Sequence, residues 1–162
     1  MDLEFYKKEA QKKQKEHRKF LGRLSAKPPK NLDSITEETH NEVFAKINCL
    51  DCANCCKTTG PFFTTKDIER ISKHLKMKPK DFELKFLQID EDQDLVLQNL
   101  PCWFLGENNE CTIYDVRPKA CREYPHTDRK KIYQINNLML KNTVICPAAF
   151  TFVEKMMKTL SK

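Results

Sequence analysis

Four of the chain's eight cysteines fall within eight consecutive residues, Cys49-Leu50-Asp51-Cys52-Ala53-Asn54-Cys55-Cys56, spaced C-x2-C-x2-C-C. Two thiolates separated by two residues can turn toward one ion or cluster, because the backbone between them makes a tight turn. Three in series at that spacing match the first three ligands of a ferredoxin-type iron–sulfur run. Thiols this dense seldom serve packing alone. The stretch from Met1 to Lys8 has no apolar core of the kind a secretory signal needs. No apolar run approaches the roughly 18 residues that span a bilayer. The expected setting is the cytoplasm, with no membrane association. Thiols stay reduced there, so clustered cysteines read as a metal site before they read as disulfides.

The other four cysteines are dispersed: Cys102, Cys111, Cys121 and Cys146. Cys146 is followed by Pro147, an echo of the Cys-Pro at the distal ligand of ferredoxin-type sites, although Cys-Pro also simply opens a helix. Eight thiolates can serve two four-thiolate sites, or one site plus redox-active remainders. Zinc and a [4Fe–4S] cluster both take four thiolates, so ligand count does not separate them. Spacing favours an iron–sulfur cluster over zinc, because structural zinc more often uses two separated C-x2-C pairs. The spacing also assigns Cys49, Cys52 and Cys55 to one centre, with Cys146, Cys121 or Cys102, in that order, as the fourth ligand. Adjacent side chains tend to diverge, which leaves Cys56 for another site or as a free thiol.

Beyond the first cysteine group lie Pro101-Cys102-Trp103-Phe104-Leu105, Cys111-Thr112-Ile113-Tyr114, Arg117-Pro118, Cys121-Arg122-Glu123-Tyr124-Pro125 and Cys146-Pro147. With these segments in this order, residues 48–150 resemble the YkgJ-like cysteine-cluster family, named for its CxxCxxCC motif and described as zinc- or iron-chelating. The resemblance implies metal chelation and no particular reaction. The same motif occurs in proteins resembling flagellin lysine methylases. This chain is short for such an enzyme and has no Gly-rich nucleotide loop, so methylation is not carried over.

Charge separates the ends of the chain. Residues 1–30 hold ten Lys and Arg and four acidic residues, a balance equal to the whole chain's +6. Leu3, Tyr6, Ala10, His17, Phe20, Leu21 and Leu24 recur at helical spacing, which predicts an amphipathic arm whose apolar face packs on the body or on a protein partner. Nucleic acid is not the expected partner, because no arginine-rich or aromatic-interleaved pattern is present. The expected division is a basic arm over 1–30 and a metal-binding domain over 31–162. The arm holds no cysteine and is expected to contribute little to metal retention.

The remaining pattern predicts an α+β, helix-dominated domain with a few short strands. Ser34 and Glu37 have capping-box spacing before a helix carrying Ile35, Thr39, Val43 and Ile47. Thr64 or Thr65 caps a helix carrying Ile68, Ile71 and Leu75, and Pro79 and Pro147 each open one. Leu95–Leu97, Trp103–Leu105 and Thr112–Tyr114 read as strands, and 132–140 as a strand pair around Asn136-Asn137.

Arg117 and Arg122 flank Cys121 and are the candidates to offset thiolate charge or to bind an anionic ligand, unless Asp115 pairs with one of them. His126 reads as a surface or supporting residue, Trp103 as core, and His17, His40 and His74 as solvent-exposed. Three functions remain open: a metal-binding module, an oxidoreductase or protein-modifying enzyme using a cluster, and a zinc-stabilised adaptor.

Overall fold

The computed structural model describes residues 2–161. In chain order its helices are α1 (Leu3–Ala26), α2 (Leu32–Phe44), α3 (Asn54–Thr58), α4 (Thr65–His74), α5 (Pro79–Phe86), α6 (Lys119–Glu123), α7 (Asn136–Ile145) and α8 (Pro147–Leu160). Strands β1 (Leu87–Ile89) and β2 (Leu95–Leu97) lie between α5 and α6 and form an antiparallel pair. The fold is thus α+β and helix-dominated, as the sequence predicts. Among the described residues, no helix is long and apolar enough to cross a membrane. The chain divides into two compact units, Met1–Cys52 with Pro125–Lys162, and Ala53–Tyr124.

The first unit is a helical assembly built from both stretches of chain. The Asp2 carboxylate caps α1 by accepting the Phe5 N–H at 2.9 Å. The apolar face of α1 then packs on α7 and α8, burying Phe20, Leu21 and Leu24 with Met139, Phe152 and Val153. Each such side chain contributes on the order of 1.5–3 kcal/mol by leaving water. The face that the sequence left open to body or partner therefore belongs to this unit's own core. His17 lies in the same face and is fully buried, not solvent-exposed: its Nε2 meets Glu154 Oε1 at 2.7 Å. His40 is half-buried, with Nδ1 2.8 Å from the Thr127 hydroxyl.

Two local expectations fail in this unit. Helix α2 starts at Leu32, because Leu32 N–H already bonds the Pro29 carbonyl and Ile35 N–H bonds that of Asn31. Ser34 thus sits inside the first turn, where its hydroxyl reaches Glu38 rather than capping. Residues 132–140 are a 3-10 turn (Ile132–Ile135) running into α7, not strands. Asn136 is the joint, and its side-chain amide donates to the Leu21 carbonyl of α1 at 2.8 Å.

In the second unit, Thr64 and Asp67 form a reciprocal capping box at the start of α4: the Asp67 N–H bonds Thr64 Oγ1 and the Thr64 N–H bonds Asp67 Oδ2. The core gathers Phe63, Ile68, Ile71, Phe82, Phe86, Leu97, Phe104 and Ile113. The sheet pairs Leu87 with Leu97 and Ile89 with Leu95 across the acidic turn 90–94. Only Leu95–Leu97 was visible as a strand in the sequence. Trp103–Leu105 and Thr112–Tyr114 are not strands. What survives of that predicted hairpin is one bridge, Leu105 with Cys111, closed by the Gly106 N–H on the Glu110 carbonyl at 2.7 Å. Trp103 is 53% exposed and packs edge-on against Phe86 from outside, so it is not core.

Candidate metal centres

The C-x2-C-x2-C-C run crosses the boundary between the units, and each unit holds its own thiol group. In the first, Cys49 opens a 3-10 turn (Cys49–Asp51) whose Leu50 N–H is held by the Asn48 side chain at 3.0 Å. The Cys52 N–H closes on the Cys49 carbonyl at 3.3 Å. Cys146 is the hinge residue between α7 and α8. Its N–H caps α7 on the Asn142 carbonyl, and its own carbonyl takes the Phe150 N–H. Burial pushes the Cys146 thiol up to about 11, against the pull of the Ala149 and Ala148 N–H groups at the start of α8. Charge on Cys49 and Cys52 pushes the same way, so these three sulfurs act on one another.

In the second unit the backbone passes through the left-handed region at Ala53 (φ 45°), turning the run into α3. Cys55 and Cys56 are neighbours on α3. They do not diverge as adjacent side chains tend to: the Cys55 thiol donates to the Cys56 sulfur and brings it down to about 7. The Gly60 N–H closes the turn after α3 on the Cys55 carbonyl.

Three dispersed cysteines lie within electrostatic range of Cys56. The Cys102 N–H donates to the Cys56 carbonyl at 2.8 Å, and Cys111 is joined to the Cys102 loop by its bridge to Leu105. Cys121 rides on α6. Burial raises Cys102 to about 11, Cys121 to about 12, and Cys111 to a lesser extent. The charge of Cys56 pushes all three in the same direction as burial, and Cys102 and Cys111 both act on Cys121.

Arg117 works in the opposite sense, favouring thiolate at Cys111 and Cys121. Its guanidinium stacks on Tyr114 at 3.8 Å and donates to the Tyr114 carbonyl at 2.7 Å. Arg122 is exposed on α6, and His126 is half-buried in a left-handed conformation (φ 68°).

Two residues that the sequence reading passed over brace this group. Arg70 donates from Nε to the Val116 carbonyl at 3.2 Å and from Nη2 to the Arg117 carbonyl at 2.9 Å. Asp67 accepts from the Lys119 N–H at the start of α6. The sequence pointed to Thr64 or Thr65 as a cap and did not single out Asp67. Its second partner is non-local and leaves no trace in sequence spacing.

Among the described residues, no three Cys, His, Asp or Glu side chains stand at the spacing that ligates a single ion. The donor chemistry still fits a soft or borderline metal. Partly buried thiols whose charges oppose one another form an unfavourable group as thiolates, and a bound cation reverses that sign.

The fold and the thiol groups together define a metal-binding cysteine-cluster protein. The family model described as "CxxCxxCC: Putative zinc- or iron-chelating domain" matches residues 48–147, more than half of the 162-residue chain. The chain belongs to this family. No solved structure matches it.

Proposed function

We propose that this protein holds metal at two thiolate centres, one in each unit, in a reducing, cytoplasmic setting. One takes Cys49, Cys52 and Cys146. The other takes Cys56, Cys102, Cys111 and Cys121. The observation that carries the reading is the grouping of the dispersed cysteines: Cys102, Cys111 and Cys121 gather about Cys56, while Cys146 lies in the electrostatic range of Cys49 and Cys52. The C-x2-C spacing of Cys49 and Cys52 supports an iron–sulfur cluster at the first centre. The second lacks that spacing, and four thiolates there suit zinc or iron equally. Arg117 offsets the negative charge of the second centre, and Arg122, exposed on α6 next to Cys121, is placed to meet an anionic ligand. Metal bound this way contributes folding free energy outright, which suits units with cores as small as these.

The test is anaerobic purification of the full chain, followed by iron, zinc and acid-labile sulfide analysis with a visible spectrum. Iron with sulfide and a brown absorption supports the cluster. Zinc without sulfide replaces the cluster with zinc. A chain with neither metal and eight titratable thiols overturns the proposal.

A further inference from the structure

The apolar face of α1 is committed to the core of the first unit, so the opposite face is what this helix offers to a partner. Lys8, Lys12, Lys15, Lys19 and Arg23 are all exposed. At 3.6 residues per turn they fall within an arc of about 80° and extend over about 22 Å of helix. Of the five, only Lys12 has a carboxylate partner among the described residues, Glu9 at 2.7 Å. Glu4 and Glu16 border the stripe and do not interrupt it. We infer that this stripe is a docking surface for the phosphate backbone of double-stranded nucleic acid.

The composition of the face selects that partner over other polyanions. A membrane-surface helix inserts an apolar face, and here that face is buried in protein. Single-strand binders stack bases on aromatic side chains interleaved with the charges, and none stands between Lys8 and Arg23 on this face, the exposed Phe5 lying one turn before it. Protein interfaces rely on aromatic and arginine anchors in desolvated pockets, whereas this face carries four lysines and one arginine, all in water. Regularly spaced point charges suit a regularly spaced row of phosphates. The sequence-level expectation against nucleic acid rested on missing base-reading residues. That bears on sequence-specific recognition, and backbone binding does not require them.

Fluorescence anisotropy of the full chain with labelled 20-base-pair DNA and RNA duplexes, measured across a salt series, tests the inference. With five phosphate contacts, the slope of log affinity against log salt on the DNA duplex is expected to be about −4 to −5. Combining Lys8→Gln, Lys15→Gln and Lys19→Gln is expected to bring it to about −2, with circular dichroism and metal content unchanged. Combining Lys66→Gln, Lys73→Gln and Lys80→Gln, at exposed positions of the other unit, leaves the slope as it was. The inference is overturned if neither duplex binds at 50 mM salt, or if the stripe variant keeps the parent slope. Tighter binding to a single strand or to poly-glutamate than to either duplex overturns it as well.

Discussion

The Asp67 carboxylate accepts the backbone N–H of Lys119 at 3.0 Å, across 52 residues of chain. The same carboxylate takes Arg70 Nη2 at 2.6 Å and the Thr64 N–H at 3.0 Å. The first turn of α4 is thereby tied to the first residue of the helix that carries Cys121. Asp67 is a buried anion whose partners are all in place, so truncating it leaves donors without an acceptor.

Asp67→Ala is accordingly expected to destabilise the protein by roughly 3 kcal/mol, the scale for breaking a buried pair. Urea unfolding at pH 7 measures it. Asp67→Asn keeps the shape and loses the charge, and is expected to fall between parent and alanine variant.

The pH dependence of that contribution has a definite sign. Burial raises the Asp67 carboxyl, but the hydrogen bonds from Thr64, Arg70 and Lys119 together hold it below the ordinary value. Its stabilising effect is complete above the unfolded carboxylate pKa of about 4 and is lost as pH falls through the lower folded value. The urea midpoints of parent and Asp67→Asn are therefore expected to converge on acidification below about pH 4. A gap that persists at pH 2 contradicts this.

Glu154 follows the same rule at another place. Burial raises it, and Lys13 and His17 outweigh that and hold it below the usual carboxylate range. His17 is enclosed, so Glu154→Gln costs a charged partner at a buried ring. The expected loss is about 1.5–3 kcal/mol at pH 7, the range for a hydrogen bond involving a charged group. Thermal unfolding of the variant beside Lys13→Met separates the buried contact from the outer one, and the larger loss belongs to Glu154→Gln.

Cysteine replacements distinguish the two proposed centres. Cys52→Ser is expected to remove the metal of the first centre and leave the second, whereas Cys56→Ser or Cys121→Ser does the reverse. Metal per chain and the visible spectrum read this directly. If Cys56→Ser strips the chain as fully as Cys52→Ser does, the division into two centres fails.

The packing of α1 changes what truncation should do. Phe20→Ala removes a buried ring from the core that includes α7 and α8, at an expected cost of about 3–5 kcal/mol. Deleting residues 1–30 is expected to unfold that core and to release the metal of the proposed first centre, contrary to what the charge distribution of the arm suggested. Retention of full metal content after deletion refutes this.

The parts of the fold visible in the sequence were those fixed locally. Pro147 at the first position of α8 and Pro79 at that of α5 carry no N–H to be satisfied there, and Thr64 caps α4 within one turn. The misreadings concern groups whose partners lie far away. His17 looked polar by type, and only Glu154, 137 residues on, makes its burial tolerable. Ile89 of β1 follows a helix with no break and gains its strand character from Leu95 across the turn. At the site, the C-x2-C-x2-C-C spacing announced metal binding. Which distant thiol meets which near one depends on loops that spacing does not encode.

The order of the two units along the chain sets a schedule for assembly. Residues 53–124 are continuous, so Cys56, Cys102, Cys111 and Cys121 are all available once Tyr124 has emerged during synthesis. Cys49 and Cys52 emerge earlier still, yet their unit also needs α7 and α8, which come last. The segment made first must therefore wait as open thiols while the segment made after it can already close. Exposure to oxidant or to competing metal during synthesis falls most heavily on Cys49 and Cys52, and pulse-labelling of nascent chains with a thiol reagent would show them modified longest.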